Sequence, residues 1–159
     1  MPRGKPETKT KFPKVSCLLV AQKEKERPMG SLFSAPAADA AEDSSSADHG
    51  GVTTFHSSAR WQLHFNSIKD SSQLMVIDFA ASWCGPCKLI EPEVKAMAAK
   101  FTDVQFAKID VDELSDVAQG FGIHAMPTFV LVKKGQEVDR IVGAKKEELQ
   151  KKIEKHRAT

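Results

Sequence analysis

The 159-residue chain contains no apolar run approaching the roughly 18 residues that a membrane-spanning helix needs, so no span is expected. Cysteine is scarce. Three residues, Cys17, Cys84 and Cys87, make a poor disulfide framework for a secreted domain. They also make a poor zinc site, because Cys84 and Cys87 have no second pair and His49, His56, His64, His124 and His156 form no ligand spacing. His124 is expected at the surface, and no metal or other cofactor is expected. A basic helix with interleaved aromatics is missing, which argues against nucleic acid as a partner. Internal repeats and a nucleotide-binding motif are missing too. The short apolar run Val15 to Ala21 is at the lower limit for a signal-peptide core, and Gln22-Lys23-Glu24-Lys25-Glu26-Arg27 follows it in place of a small-residue cleavage site. Residues 1–28 hold three Glu and one Ser among mostly Lys, unlike an organellar transit peptide.

What the chain does have is unevenly distributed. Residues 1–28 carry eight Lys/Arg against three Glu, a net +5, whereas residues 29–159 carry 15 against 18, a net −3. The first 28 residues read as a basic, disordered segment. Residues 29–51, rich in Ala, Ser, Asp and Gly and without a hydrophobic period, read as a disordered extension. Residues 52–159 suit one globular domain. The composition changes abruptly at Pro28-Met29, and Met29-Gly30-Ser31-Leu32-Phe33-Ser34 matches the myristoylation pattern. If Met29 is a start, Gly30 becomes a lipidation site; with Met1 as the start, Gly30 is internal and cannot be acylated. One myristoyl chain holds a protein to a membrane weakly, and Asp39, Glu42, Asp43 and Asp48 oppose an anionic leaflet, so any attachment is expected to be reversible.

Inside the domain, the pentapeptide Trp83-Cys84-Gly85-Pro86-Cys87 carries most of the information. The apolar run Leu74 to Phe79 precedes it and a helix-like run from Lys88 to Phe101 follows, which puts the dithiol on a strand-to-helix turn. Free backbone N–H groups and the helix dipole favour negative charge at that position and stabilise a Cys84 thiolate. Cys87, three residues on, can reach back to it. Gly85 allows close backbone approach, and Pro86 lacks an N–H at a first-turn position where that donor would be orphaned anyway. The chemistry of such a pair is thiol–disulfide exchange, in which one thiolate attacks a disulfide and the second thiol resolves the mixed disulfide.

The remaining pattern predicts a short strand at Val52 to Phe55, then a helix from Ala59 to about Lys69 capped by Ser57 or Ser58, with Trp61, Phe65 and Ile68 on one face. Leu74 to Phe79 is a strand covered on both faces. A helix runs from Cys84 or Gly85 to Lys100, with a kink expected at Pro92. Val104 to Asp110 is a strand and Leu114 to Gly120 a short helix. Thr128 to Lys133 and Glu137 to Val142 form a hairpin about Lys134-Gly135. A closing helix from Lys145 to Arg157 buries Leu149 and Ile153. The order β-α-β-α-β-α-β-β-α predicts an α/β fold, a central mixed sheet with helices on both faces. Asp78 interrupts its strand six residues before Cys84. A buried carboxylate is costly unless paired or functional. Burial raises its proton affinity and makes it a usable base for Cys87, directly or through water; the alternative is a strand-end Asp that faces solvent or pairs with Lys108.

Trp83-Cys84-Gly85-Pro86-Cys87 resembles the active site of thioredoxins. The stretches Ser58-Ala59-Arg60-Trp61, Ala81-Ser82-Trp83-Cys84 and Met126-Pro127-Thr128-Phe129 resemble those of plant h-type thioredoxins, most closely the branch with an N-terminal extension. The resemblance covers about Val52 to Arg157 and leaves residues 1–28, and with them Cys17, without a role. It implies the thioredoxin fold and a protein-disulfide reductase, with Cys84 as nucleophile, Cys87 as resolving thiol, Asp78 passing a proton to and from Cys87, and a Cys84–Cys87 disulfide in the oxidised form. It also implies that Pro127 is cis, which leaves the Met126 backbone free to pair with an extended substrate. Trp83, Ala125, Met126, Pro127 and Gly143 then form a flat, uncharged substrate rim, and Gly85, Pro86, Trp83 and Lys108 tune the redox pair. The implied partners are disulfide-containing protein substrates and an NADPH-dependent thioredoxin reductase, in the cytoplasm with at most a membrane-associated fraction. A glutaredoxin or a disulfide isomerase is disfavoured by Gly85-Pro86 and by the ending His156-Arg157-Ala158-Thr159. A binding or holdase module with little turnover is the rival of another class, and it is disfavoured by the presence of both cysteines, Asp78 and Pro127.

Overall fold

The computed structural model of the protein describes residues 51–158. Cys17, Gly30, His49, the basic segment 1–28 and nearly all of the 29–51 extension lie outside the described residues. The elements are β1 (Val52–Phe55), α1 (Ser58–Ile68), β2 (Met75–Ala80), α2 (Gly85–Lys100), β3 (Gln105–Asp110), α3 (Ser115–Gly120), β4 (Thr128–Lys133), β5 (Gln136–Val142) and α4 (Lys146–Arg157). Each expected element is present within one or two residues of its expected bounds. Ser57 is the N-cap residue of α1 by backbone conformation, but it makes no side-chain capping bond. The Ser58 hydroxyl donates to Asp116 at 2.8 Å instead.

The five strands form one sheet in the order β1-β3-β2-β4-β5. β1, β3 and β2 run parallel, while β4 pairs antiparallel with both β2 and β5. β2 is therefore central, and all six of its residues are buried. Strand side chains alternate between faces, and the two cores sort accordingly. Val76, Phe106, Phe129 and Leu131 pack with Ile90, Val94 and Met97 of α2 and Leu149 and Ile153 of α4. Ile77, Phe79, Ile109 and Val130 pack on the other face with Trp61 of α1 and Val117 of α3. There Trp61 meets Phe55 edge-on at 5.3 Å between centroids, and Phe79 meets Phe121 at the same separation. Burying each such aromatic or aliphatic side chain contributes about 1.5–3 kcal/mol before the entropy of ordering it is charged.

The β4–β5 hairpin shows how local sequence fixes register. Lys134 and Gly135 both have positive φ, 51° and 67°, the pair of values a two-residue type I′ turn requires. A Cβ at Gly135 would lie 3.2 Å from the carbonyl oxygen of Lys69, so the turn also packs tightly on the end of α1.

Candidate active site

Alternation along β2 decides where Asp78 points. Val76 belongs to the core under α2, so Asp78, two residues on, faces α2 as well. The same rule puts Thr54 of β1 and Lys108 of β3 on that face, beside Val52 and Phe106. Register aligns them in one row, with Thr54 opposite Lys108 and Lys108 opposite Asp78. The next residue in the row, on β4, is Phe129. A polar strip therefore crosses this sheet face among the apolar side chains packed under α2.

Cys84 is the N-cap of α2, with Pro86 in the first turn. Its backbone N–H donates to the Ala81 carbonyl at 3.1 Å, and its carbonyl accepts from the Lys88 amide at 3.3 Å. The Cys84 sulfur accepts from the Cys87 backbone N–H at 3.3 Å. This is the orphan donor of a helix start aimed at the sulfur, as the sequence implied. Cys84 and Cys87 are joined in a disulfide with Cα atoms 5.3 Å apart, so the structure is that of the oxidised protein. Both cysteines are buried, and they cluster with Ala80, Ala81 and the partly buried Met126. Gly85 and Pro86 are exposed above them.

Trp83 stands 66% exposed beside the disulfide. Its indole Nε1–H donates to Asp112 at 2.9 Å, and the Asp112 amide donates to Asp110 at 2.9 Å, which ties the short β3–α3 connection. Across the disulfide, the Met126-Pro127 peptide bond is cis, as the resemblance implied. The Gly143 N–H donates to the Pro127 carbonyl at 2.8 Å, and the Thr128 hydroxyl donates to the Ala125 carbonyl at 2.7 Å. Ala125 and Val142 are exposed on this side. Of the residues expected at the rim, Trp83 adjoins Cys84 and Met126 packs against the cysteine pair, while Ala125 is exposed, Gly143 half-buried and Pro127 buried. His124 lies exposed, and no metal-binding cluster of His, Cys, Asp or Glu occurs among the described residues.

Asp78 is 5% exposed, and its Oδ1 is buried without a hydrogen-bond partner. Burial pushes the carboxyl up to about 7, overcoming the attraction of Lys108, with the Glu91 charge adding to the rise. Lys108 does not bond to Asp78. Its ammonium instead donates to Glu91 Oε2 at 3.1 Å, and among the described residues no ion pair joins it to Asp78. A cleft of about 80 Å³ lined by Thr54, Asp78, Glu91, Lys95 and Lys108 lies over the carboxyl. A second cleft of about 200 Å³ reaches Cys87 and shares Thr54, Glu91 and Lys108 with the first. Both have room for water. The sequence singled out neither Asp112 nor Glu91. The signal for Glu91 was available: it follows Cys87 by one helical turn, on the stripe that continues to Val94.

The family model described as Thioredoxin matches residues 54–155. The protein named Thioredoxin H2 of Arabidopsis thaliana is 66% identical over 107 residues, covering 67% of this chain and 80% of that protein. Thioredoxin H2-1 of Oryza sativa subsp. japonica is 56% identical over 102 residues, 64% of this chain and 74% of that protein. The crystal structure of thioredoxin NaTrxh from Nicotiana alata superimposes with a TM-score of 0.68 at 67% identity, covering 71% of this chain and 98% of that one. A disulfide at a helix N-terminus, set on this sheet and in this sequence context, places the chain in the thioredoxin family, as a thiol–disulfide oxidoreductase that reduces protein disulfides through Cys84 and Cys87.

Proposed function

We propose the following division of labour. Cys84 is the attacking thiolate, because it stands at the helix N-terminus with a backbone N–H on its sulfur. A Cys84–substrate S–S bond forms, the substrate S–S bond breaks, and the second substrate sulfur leaves as a thiolate. The Cys87 thiol then gives its proton to the Asp78 carboxylate, directly or through water in the shared clefts, and attacks Cys84 Sγ. The Cys84–Cys87 bond re-forms and the first substrate sulfur leaves. Two electrons have passed to the substrate, whose thiolates take up protons. The observation that carries this reading is the oxidised pair at the start of α2 with an unpartnered buried carboxyl on the strand beneath.

Trp83, Ala125, Met126, cis-Pro127 and Gly143 form the substrate rim, where an extended segment pairs with the Met126 backbone. Gly85, Pro86, Trp83 and Lys108 tune the pair. Electrons are resupplied by a thioredoxin reductase, with NADPH as the ultimate donor. A reductase of this kind fits the cytoplasm, where thiols are kept reduced. A form starting at Met29 and acylated on Gly30 adds a weakly membrane-associated fraction.

The test is a pair of variants acting on a disulfide-bonded protein such as insulin, with NADPH and thioredoxin reductase present. Cys84→Ser abolishes turnover. Cys87→Ser accumulates a mixed disulfide with substrate, seen by intact mass, on Cys84. Turnover by Cys84→Ser, or substrate trapped on Cys87 in that variant, overturns the assignment.

A further inference from the structure

Two carboxylates compete for one lysine beneath α2. Glu91 sits one turn beyond Cys87, and its two oxygens are taken by different ammonium groups. Oε1 accepts from Lys95 at 2.9 Å and Oε2 from Lys108 at 3.1 Å. Asp78 is the cross-strand neighbour of Lys108, close enough in register for a flexible lysine stem to serve either acid. Lys108 goes to Glu91, and Asp78 Oδ1 is left buried and unpartnered.

Relative solvation explains the choice. The Glu91 side chain is 34% exposed and keeps its charge at little cost, whereas Asp78 is 5% exposed. Hydrogen bonds from Lys95, then Lys108, hold Glu91 below the usual carboxylate range. A fixed anion at the rim thus outbids a buried acid that ionises reluctantly. The other groups around Asp78 are accounted for. β1 contributes uncharged Thr54, β4 contributes Phe129, and α2 contributes Lys95 beside Glu91; the Cys87 thiol of the reduced protein lines the adjoining cleft. His56, Lys88, Asp110 and Glu113 line only the outer cleft.

We propose that Glu91 is a positioning residue for Asp78: it draws the Lys108 ammonium to the rim of the cleft and leaves the carboxyl beneath without a direct cationic partner. An Asp78 paired to Lys108 would stay ionised at neutral pH and accept a proton poorly; an unpaired one takes a proton from Cys87 near neutrality. The consequence for turnover rests on the proton-transfer role given to Asp78 above. The effect on the Asp78 carboxyl does not.

The test is carbon-13 NMR titration of the Asp78 carboxyl in the oxidised full chain, where neither cysteine titrates and no coupled thiol complicates the midpoint. Glu91→Gln lowers the midpoint by about one pH unit, at the lower end of what a nearby opposite charge produces, and Lys108→Gln raises it. In the Lys108→Gln background, Glu91→Gln has less than half its original effect, because it acts mainly through the lysine. An unchanged or raised midpoint in Glu91→Gln overturns the proposal. So does an undiminished shift in the double variant, which would make Glu91 a bare charge. The pH dependence of the resolving step in the reduced variants reads the Asp78 role separately. If the carboxyl midpoint moves as stated and the rate profile stays fixed, the placement of Lys108 by Glu91 stands and proton transfer by Asp78 falls.

Discussion

Replacing Asp78 with Asn removes a titration whose thermodynamic consequence is set by burial. The folded protein holds this carboxyl at about 7 against an ordinary value of 3.8. The native state therefore binds the proton more tightly than the unfolded chain, and stability falls wherever the unfolded chain has released it and the native state has not. The loss begins as pH rises through about 4 and is complete above about 7. At about 1.4 kcal/mol per pH unit of difference, its ceiling is about 4 kcal/mol. Asn has no such titration, so the stability of Asp78→Asn relative to the native sequence rises between pH 4 and 7 and levels off above. Any constant cost of an amide in this site shifts the whole curve without changing its slope. Urea unfolding of the oxidised proteins at pH 4, 6 and 8 measures it, with equal m values confirming that the same surface is exposed. A difference between the two proteins that is flat across this range, or that shrinks as pH rises, refutes the account of Asp78 as a carboxyl raised by burial.

Asp112→Asn weakens the acceptor that fixes the exposed Trp83 indole at 2.9 Å. KM for a protein disulfide rises by about two- to five-fold, with kcat within a factor of about two and stability within about 0.5 kcal/mol, as expected where an aromatic anchor shapes a docking rim; a drop confined to kcat would place Trp83 in the chemistry instead. Asp139 behaves oppositely to Asp78. Burial alone would raise it, but hydrogen bonds from Lys152 at 2.8 Å, from His156 at 3.0 Å and from the Arg140 amide prevail and hold it at about 2. Its contribution is present above pH 4 and is lost as pH falls towards 2. Asp139→Asn costs about 1 kcal/mol at pH 7 once partial exposure is allowed for, and the cost vanishes near pH 2 in denaturant titrations; an equal cost at both pH values contradicts the pairing.

Much of this was legible in the sequence because local rules and tertiary demands agree. The run Leu74 to Phe79 read as a doubly covered strand, and β2 is buried throughout. The closing-helix pair Leu149 and Ile153 is fully buried. The turn at Lys134-Gly135 carries the positive φ values a tight hairpin needs. The position of Cys84 at a helix mouth followed from strand, motif and helix in succession, and the N-cap geometry agrees. Thiolate stabilisation at such a site is a property of backbone geometry, which a short sequence window can specify. By contrast, the cis bond before Pro127 came from family resemblance, since X-Pro bonds are mostly trans.

The charged partners were not legible, for a physical reason. Periodicity puts Asp78, Lys108 and Glu91 on facing surfaces, but a lysine stem can reach either acid, and which one it takes depends on how much water each retains. The sequence pointed to Lys108 beside Asp78, and the strand register supports that adjacency. The hydrogen bond went to Glu91 because its side chain is 34% exposed and bears its charge cheaply. The same reasoning covers Asp112, whose link to Trp83 spans 29 residues and depends on how the β3–α3 connection folds back. A motif can specify the atoms that exchange sulfur. The proton inventory around them is set by three-dimensional solvation, and here it turns on a glutamate one helical turn past the second cysteine.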